Sequence, residues 1–474
     1  MTEKPIAVDQ ALGTARPAMS ARRLILPLAL AQFICSFAGS NMNVMINDIS
    51  NDLDTTVKGV QTAITLFLLI MAILMIPCSK LTDRWGRKRC FNGGLALYGI
   101  GAILSAVAPG LGVLILGNSV FEGVGTALLI PPVYILATLW FTDLTRRAWA
   151  FGAISGLGGI GAAAGPLIGG IITTAISWRA AFVFQAAVIV IIILLGRKIT
   201  DPLPPDPTRP FDAVGAVLSG AGMFCLVFGI LQAGTDNVLL TVFLVIGVTL
   251  LLGFYVYVRA QERKGKEPLL STGLFKNRVS NLALVTQNIQ WLLLMGVSFV
   301  VSVFLQEVRG YNAIKTGVIF TAATVGILVS SLAAERFARR RSQKTLIVAG
   351  FVVTLVGIAL LLGLIQASDS IWAFVPGLAL VGLGLGGMLT PSVNVVQSSF
   401  PEELQGEISG LSRSVSNLGS SFGTAIAGTI LVSELGSGND AYIVAMLVLA
   451  GFAALGLLAA LRLPAQVEAA APAR

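Results

Sequence analysis

The sequence predicts an all-α protein that crosses a membrane many times. Of its 474 residues, 55% are hydrophobic and 12% are charged, which is roughly half the charged fraction of an average soluble domain. The mean hydropathy is +0.86, and apolar runs of about 20 residues, long enough to span a bilayer as a helix, recur along the chain. The net charge of +9 falls in the short loops between these runs, so it predicts topology rather than nucleic-acid binding.

Fourteen apolar runs of spanning length can be counted. Their approximate centres are Phe33, Leu69, Tyr98, Glu122, Gly159, Val190, Met223, Thr249, Leu293, Gly326, Gly357, Gly382, Gly419 and Gly451. Residues 1–22 are expected to form a disordered tail before the first run, and residues 464–474 form a second tail after the last. Because the number of runs is even, the two tails lie on the same side of the membrane.

The basic residues predict which side that is. Of the Lys and Arg residues, 27 fall in the tails and in the loops on the same side, and only Lys58, Arg179, Arg309 and Lys315 fall on the other. Loops rich in Lys and Arg stay in the cytoplasm. We therefore expect both termini to be cytoplasmic and the protein to lie in a bacterial plasma membrane.

The loop between the second and third runs carries a dense cluster of these charges. It reads Ser-Lys-Leu-Thr-Asp-Arg-Trp-Gly-Arg-Lys-Arg over residues 79–89. This wording resembles the Gly-x-Leu-x-Asp-Arg-x-Gly-Arg-Lys/Arg signature of the major facilitator superfamily, with Ser79 in place of the first glycine. The resemblance implies a membrane transporter in which this loop acts as a cytoplasmic latch. We expect Asp83 to lie near the N-terminus of helix thirteen, around Gly406–Ser409, where unpaired amides favour an anion.

A second basic loop echoes the first, because residues 335–341 read Glu-Arg-Phe-Ala-Arg-Arg-Arg. If runs seven and eight are an insertion, the two loops occupy equivalent positions in two six-helix halves. The predicted fold is therefore the major facilitator fold with fourteen transmembrane helices. Its halves are residues 23–198 and 261–463, and residues 199–260 form a linker and two inserted helices, which carry no mid-membrane charge and are expected to dock beside the halves. The alternative is a chance similarity of two basic loops. The predicted latch residues are Asp83, Arg84, Gly86, Arg87, Glu335 and Arg336.

The fifth run is rich in glycine. Gly161, Gly165 and Gly169 recur every four residues and therefore share one helix face, which lets a neighbouring backbone approach closely. Pro166 removes the helical partner of the Ala162 carbonyl, so the helix can bend there. The stretch from Gly161 to Gly170 resembles the motif that marks antiporters of the superfamily. Ordinary packing of small residues is the alternative explanation.

With this motif, the chain from about Arg23 to Leu463 resembles the fourteen-helix drug–proton antiporter branch. Two positions depart from the branch. Its usual helix-one aspartate is absent from the stretch Ser40-Asn41-Met42-Asn43, and in helix four its Arg-x-x-Gln-Gly pattern reads Ser119-Val-Phe-Glu122-Gly. The proton-handling residues of the branch therefore cannot be transferred to this chain.

Glu122 is the one acid near the middle of any apolar run. A charge at that depth is costly and usually faces a cavity, so we predict that Glu122 is the proton-coupling group. A permanently protonated glutamic acid that bonds a neighbouring helix is the alternative. Arg413 is the one deep base, and it has the alternative of staying hydrated from the cytoplasmic side.

Neutral polar residues also fall within the runs that would line a cavity. The resemblance implies that helices one, four, nine and twelve surround the substrate. The candidate lining residues are Asn41, Asn43, Asn118, Gln287, Asn288, Gln290, Trp291 and Asn394. Gln287, Gln290 and Trp291 share a helix face. Apolar walls with amide groups and one acid suit amphipathic substrates, including cations.

Several other classes of function are excluded or disfavoured. The chain contains no histidine, which rules out His-ligated metals and His-based acid–base catalysis. The four cysteines show no metal-binding spacing, and no phosphate-binding Gly-Lys-Ser/Thr loop is present. We therefore predict no metal, no cofactor, no enzymatic activity and no nucleic-acid partner. The expected partners are a small-molecule substrate, protons and membrane lipids, and the expected state is a monomer.

The predicted function is secondary-active export of amphipathic compounds in exchange for protons, by alternating access. Two alternatives stay open. The first is a metabolite or lipid carrier that is uncoupled or coupled differently, because the usual aspartate and arginine are missing. The second is a non-transporting sensor or scaffold on the same fold, against which the polar groups at Glu122 and Gln287–Trp291 argue.

Overall fold

The structure is a computed structural model that describes residues 21–141, 144–233, 235–338, 341–367, 370–400, 404–432 and 439–465. The two predicted tails lie outside the described residues, apart from the two residues of each that adjoin the first and last helices. The described part is built from helices and contains no strand. Apolar side chains from all along the chain form its buried core.

The described residues form fourteen long helical segments, which we number α1 to α14. They are α1 (Ala21–Asn41, a 3₁₀ turn at Met42–Met45, then Ile46–Asp52), α2 (Val57–Trp85), α3 (Arg87–Ala106), α4 (Leu111–Leu114, a π-helical turn at Ile115–Glu122, then Gly123–Trp140), α5 (Leu144–Ala175), α6 (Trp178–Gly196), α7 (Ala213–Leu231), α8 (Asn237–Arg263), α9 (Arg278–Val303 and a π-helical turn at Phe304–Val308), α10 (Ala313–Ala338), α11 (Gln343–Ala367), α12 (Phe374–Ser398), α13 (Gln405–Val432) and α14 (Asn439–Leu461).

Most of these helices are long and apolar enough to cross a membrane. Eleven pass that test among the described residues, and twelve pass if the bent α5 counts as one span. The bend of 44° in α5 lies between Trp149–Ala162 and Ala164–Ala175, where Pro166 leaves the Ala162 carbonyl without its helical partner. The basic start of α3 and the serines of α13 lower the hydropathy of those two helices. The full number of fourteen spans stays a prediction.

The helices pack as two sets of six with the same internal arrangement. In the first set, α1 packs on α5 and α6, and α4 packs on α2 and α3. In the second set, α9 packs on α13 and α14, and α12 packs on α10 and α11. Each contact in the first set therefore recurs in the second, eight helices later. This is the predicted pair of six-helix halves, and the exact boundaries proposed for them stay a prediction.

Close glycine contacts fix the register of this repeat. A Cβ built on Gly161 of α5 would lie 2.2 Å from the carbonyl oxygen of Phe33 in α1. A Cβ built on Gly419 of α13 would lie 2.2 Å from the carbonyl oxygen of Asn288 in α9. Phe33 and Asn288 are therefore equivalent positions, and positions on the other helices are matched by their own glycine contacts.

The two halves meet along two seams. Along the first, α2 packs on α13, and the hydroxyls of Ser414 and Ser421 donate to the carbonyls of Ala72 and Thr65 at 2.6 and 3.1 Å. Along the second, α5 packs on α10, where the amide of Ile314 donates to the hydroxyl of Thr174 at 3.1 Å. Each seam is lined with small residues and hydroxyls, so the halves touch through backbone groups.

The inserted helices lie at the edge of the first seam. Met223, Val227 and Leu231 of α7 form a buried apolar cluster with Leu69 of α2 and Ala425 of α13. Outside it, α8 packs on α7, and only 6% of its most apolar stretch is buried. The pair therefore covers the seam from the side, the peripheral position expected for it.

The packing of α5 on α1 makes Gly165 sensitive to substitution. A Cβ at Gly165 would lie 2.0 Å from the Ser40 hydroxyl oxygen, whereas a Cβ at Gly159 of the same helix would meet nothing within 4 Å. We expect Gly165→Leu to lower the free energy of unfolding by about 1–3 kcal/mol, the usual effect of overpacking. Thermal unfolding in detergent measures this loss, with Gly159→Leu as the matched control. Equal melting temperatures for the two variants would contradict the packing described here.

Candidate functional site

Glu122 is fully buried inside the first half. It ends the π-helical turn of α4, and its Cγ would lie 2.8 Å from a Cβ built on Gly101 of α3. The hydroxyls of Tyr98 and Ser105, also on α3, face its carboxyl group without reaching hydrogen-bond geometry. Neither carboxyl oxygen has a hydrogen-bond partner among the described residues. The carboxyl thus points between α3 and α4, and not into the space between the halves where the sequence led us to expect it.

The second half contains the same packing site with a different side chain. A Cβ on Gly101 would meet the amide nitrogen and Cγ of Glu122, both at 2.8 Å. A Cβ on Gly357 of α11 would meet the amide nitrogen and Cγ2 of Val381 of α12, at 2.7 and 2.9 Å. Val381 is therefore the equivalent of Glu122. Because valine fills this position in the second half, helix packing there does not require a carboxyl group.

The residues around Glu122 can be matched between the halves in the same way, by their contacts with glycine. A Cβ on Gly117 would meet Ser105, and its counterpart on Gly377 would meet Leu361. A Cβ on Gly125 would meet Tyr98, and its counterpart on Gly384 would meet Thr354. The polar set of Glu122, Ser105 and Tyr98 thus corresponds to Val381, Leu361 and Thr354. The two halves share this packing site, and of these six residues only Glu122 places a carboxyl group in it.

The π-helical turn that carries Glu122 also contacts the first seam. The hydroxyl of Ser119 on this turn donates to the carbonyl of Ala63 in α2 at 2.7 Å. Two residues further along α2, the carbonyl of Thr65 accepts the hydroxyl of Ser421 from the other half. A rearrangement around Glu122 can therefore reach the interface between the halves through one helix.

The predicted lining asparagines lie in different surroundings. Asn41 and Asn118 are buried, and neither amide group has a hydrogen-bond partner among the described residues. Asn43 is buried at the contact between α1 and α9. Asn394 is exposed. The structure therefore does not bring these four residues together around one space.

The predicted polar face of α9 is engaged in packing within the second half. The amide of Gln287 bonds Ser416 at 2.8 Å and accepts the hydroxyl of Ser412 at 3.0 Å. The amides of Asn288 and Gln290 donate to backbone carbonyls of α13 and α12 at 2.9 and 3.1 Å. Trp291 is partly exposed. These groups hold α9 in place in this conformation, and their role as a substrate lining stays a prediction.

Arg413 joins the two halves on α13, the helix whose first turn meets the latch loop. Its guanidinium group donates to the hydroxyl of Tyr134 in α4 at 2.5 Å and lies 4.8 Å from the centre of the Tyr134 ring. The Tyr134 hydroxyl also contacts the Gln32 side chain of α1 at 3.3 Å. The deep base found in the sequence is thus half-buried and bound to an aromatic ring of the opposite half.

The latch loop contacts the second half through Lys80. Its ammonium nitrogen lies 2.6 Å from the carboxylate of Glu407 in the first turn of α13. Asp83, which was expected to meet this turn, instead accepts bonds from Arg87 at 2.7 Å and from Arg209 of the linker at 2.9 Å. These two arginines bond the two oxygens of Asp83, whereas Lys80, almost one turn earlier, bonds Glu407, so the approach of Asp83 to the start of α13 stays a prediction.

The rest of the latch holds α2, α3 and the linker together. Gly86 separates the two helices with a φ of +94°, which favours glycine. The backbone amide of the buried Arg87 donates a hydrogen bond to the carboxylate of Asp201 in the linker at 2.6 Å, so Asp201 caps the start of α3. Arg84 is half-buried. Glu335 and Arg336 lie near the end of α10, and their side chains fall outside the described part.

A second contact closes the outer end of the interface. The side-chain amide of Gln306, on the π-helical turn of α9, donates to the carbonyl of Asn43 at 2.9 Å. The Gln306 side-chain oxygen accepts a hydrogen bond from the backbone amide of Asn47 at 3.2 Å. The Ser302 hydroxyl also donates a hydrogen bond to the Asn43 carbonyl. The Asn43 carbonyl lies within the 3₁₀ turn of α1, and the Asn47 backbone amide follows the turn. We call Asn43, Asn47, Ser302 and Gln306 the outer clasp.

Several of these residues were missed by sequence reasoning. Tyr98 and Ser105 gave no signal, because single hydroxyls are common in apolar helices. The pairing of Lys80 with Glu407 joins residues that are 327 positions apart, so no local pattern predicts it. Gln306 could have been found, since the stretch Phe304–Tyr311 also resembles the antiporter branch in wording.

A family model of the Major Facilitator Superfamily matches residues 28–424, with a second match over residues 283–473. The chain belongs to the Major Facilitator Superfamily. It is therefore a multi-pass membrane transporter rather than an enzyme, and the predicted fold class is confirmed.

The relatives of the chain within the superfamily include drug-resistance proteins. It is 28% identical to the puromycin resistance protein pur8 of Streptomyces alboniger over 405 residues, which cover 84% of this chain and 80% of that protein. It is 29% identical to the multidrug efflux pump LfrA of Mycolicibacterium smegmatis over 378 residues, covering 80% and 74%. The predicted resemblance to the drug antiporter branch is thus confirmed.

A solved structure supports the fold independently. The peptide transporter POT in complex with alafosfalin matches with a TM-score of 0.69 over 96% of this chain and 98% of that chain. The two chains are 14% identical, so this likeness concerns the fold alone.

The Lys80–Glu407 pair generates a prediction about the cytoplasmic end. Both side chains are partly exposed, so the pair contributes up to about 1 kcal/mol. We expect Glu407→Lys to increase opening of the seam about fivefold, and the added change Lys80→Glu to restore much of the closure. The labelling rate of a cysteine placed at the buried Ile76 measures this opening. If the double variant opens more than the single one, the pair does not hold the seam.

The outer clasp generates the matching prediction for the other end. Gln306→Leu leaves buried backbone groups of Asn43 and Asn47 without this partner, which costs about 1–3 kcal/mol. We expect a cysteine placed at the buried Val44 to be labelled roughly tenfold faster from outside in this variant. Gln232→Leu, at the outer end of α7, is the control and should leave the rate unchanged. Unaltered labelling in Gln306→Leu would show that the clasp does not close the outer end.

Proposed function

We propose that this transporter exports amphipathic organic compounds, including cations, in exchange for protons by alternating access in a bacterial plasma membrane, with both termini in the cytoplasm. The drug-resistance relatives support export of such compounds. The contacts at the two ends of the interface support alternating access, because separate groups of residues hold each end. We expect the protein to work as a monomer among membrane lipids.

The observation that carries proton exchange is Glu122 in a site where the second half has valine. Its carboxyl oxygens are buried without a hydrogen-bond partner in the described part of the chain. A charged carboxylate there would be strongly unfavourable, so the packed conformation suits the neutral acid. Because the second half packs the same position with Val381, packing alone does not account for the acid.

Release of the proton would link chemistry to conformation. An ionised Glu122 needs water or another partner, which requires α3 and α4 to move apart. Protonation therefore favours the packed conformation, and ionisation favours one in which water reaches the carboxyl. If substrate binds the conformation in which Glu122 is hydrated, substrate binding favours release of the proton, and proton binding favours release of the substrate. The Ser119–Ala63 bond offers a route by which this change reaches the seam.

The surroundings of Glu122 fit this role. The hydroxyl of Tyr98 donates a hydrogen bond to the side-chain oxygen of Gln185 in α6 at 2.5 Å. The Tyr98 hydroxyl oxygen therefore stays available to accept a hydrogen bond from a neutral Glu122. Ser105 adds a second hydroxyl that is buried and has no hydrogen-bond partner among the described residues. Both groups can turn towards the carboxyl with small movements of α3.

The experiment compares Glu122→Val, Glu122→Gln and the unchanged protein in proteoliposomes with an imposed pH gradient, with ethidium as the transported cation. We expect both variants to lose gradient-driven accumulation by at least about tenfold, because neither can release a proton. We expect Glu122→Val to melt no lower than the parent, because an apolar side chain of similar shape suits the site. The control is Glu267→Gln, the same change at an exposed residue.

The outcomes separate the candidate functions. If Glu122→Val accumulates ethidium as well as the parent, Glu122 does not couple transport to protons. If the unchanged protein moves ethidium without responding to the gradient, the uncoupled carrier is the better description. If it moves nothing, the non-transporting alternative gains support.

A further inference from the structure

A small cavity lies at the outer end of the second half, beside the outer clasp. It has a volume of about 200 Å³. Its walls come from the start of α2, the end of α9, the end of α13 and the start of α14. The lining residues are Val57, Val303, Phe304, Glu307, Val308, Leu431 and Ala441. Among these described residues, Glu307 alone carries a charge, and its side chain is exposed.

The equivalent acid of the first half is Asp52. Phe33 and Asn288 are matched by their glycine contacts. Asp52 stands 19 residues after Phe33, and Glu307 stands 19 residues after Asn288. Both acids lie at the outer ends of the first helices of their halves. Each half therefore places one carboxylate at the end of its first helix.

The first half supplies a cation for its acid. Arg179, in the first turn of α6, forms an ion pair with the Asp52 carboxylate. The indole nitrogen of Trp178 donates to the same carboxylate at 3.1 Å. This pair closes the outer end of the first half between α1 and α6.

The second half has no such cation at the corresponding place. Its last helix, α14, begins with Asn439, Asp440 and Ala441, and Ala441 lines the cavity. The neighbouring cations point elsewhere, because Lys58 bonds Thr235 and the Arg309 guanidinium lies 5.6 Å from the centre of the Phe304 ring. No ion pair between described residues includes Glu307.

We propose that this cavity receives the charged end of an amphipathic organic cation on its way out, with Glu307 as the counter-charge. The ligand takes the place that Arg179 fills in the first half, and its hydrocarbon part packs on Val57, Val303 and Phe304. The cavity is smaller than the roughly 300–1,000 Å³ of drug-sized sites, so it holds one end of the ligand only. This inference rests on the proposed function, because the ligand is the exported compound.

The position of Glu307 connects this subsite to the outer clasp. Gln306 and Glu307 are consecutive on one π-helical turn, a rare geometry that often marks functional sites. Gln306 holds α1 while Glu307 faces the cavity. A cation drawn to Glu307 therefore acts on the same turn that closes the outer end.

The test places a cysteine at Val308, which lines the cavity and is 44% exposed. The four native cysteines are buried and should react slowly. Tetraphenylphosphonium is added to the full-length protein in outward-accessible vesicles, and maleimide labelling is timed. We expect protection of the Val308→Cys variant at concentrations about fivefold lower than those needed after Glu307→Gln, since a partly exposed ion pair contributes on this scale.

Two controls make the result decisive. A cysteine at Val238, which is exposed on the same side at the start of α8, should show no protection. Octyl glucoside, a neutral amphipath, should protect Val308→Cys poorly. Equal protection by octyl glucoside, or equal protection after Glu307→Gln, would overturn the proposal and indicate an apolar lipid groove. Loss of ethidium export with retained protection would overturn the proposed function and leave this subsite standing.

Discussion

The close approach of helices through glycine is the constraint on which the rest of this structure depends. At Gly161 and Gly419, a backbone carbonyl from the neighbouring helix occupies the space that a side chain would need. Neither contact can slide along the helix without a clash, so each half is held in one register. Because the two contacts match, residues of one half can be compared with residues of the other. The repeat thus serves as an internal control, since it separates what the fold needs from what one half has added.

The energetic consequence is clearest for buried polar groups. The amides of Gln287, Asn288 and Gln290 each find a partner on α12 or α13, so their burial is offset by hydrogen bonds. Glu122, Asn41 and Asn118 have buried polar atoms that lack partners among the described residues. Each such group costs free energy unless water or another conformation satisfies it. Of these three residues, Glu122 alone can ionise, and on α9 the side-chain oxygen of Gln290 also has no partner among the described residues.

Much of the fold followed from physical patterns in the sequence, and most of the site did not. The helices, the repeat and the bend at Pro166 are local consequences of hydropathy, charge and a missing amide. The direction of Glu122 depends on which face of a π-helical turn meets α3, and the apolar run around it has no period that reveals this. The ion pair of Asp83 with Arg209 joins residues 126 positions apart, so no local pattern reveals it. Contacts between distant segments, such as Lys80 with Glu407, have no local signature at all.

The chemistry of the transporter then lies where the two halves differ. A transporter built from two identical halves could pack well, but its halves would respond identically to a proton or a substrate. Here the counterpart of Glu122 in the other half is Val381, and Glu307 has no ion-pair partner among the described residues, whereas Asp52 has Arg179. The first difference puts a carboxyl group at this packing site in one half only, and the second leaves the Glu307 carboxylate without a described cation in the other. In the function proposed here, this asymmetry assigns the response to protons to one half and the counter-charge for the departing cation to the other, and neither role requires a change in the shared packing.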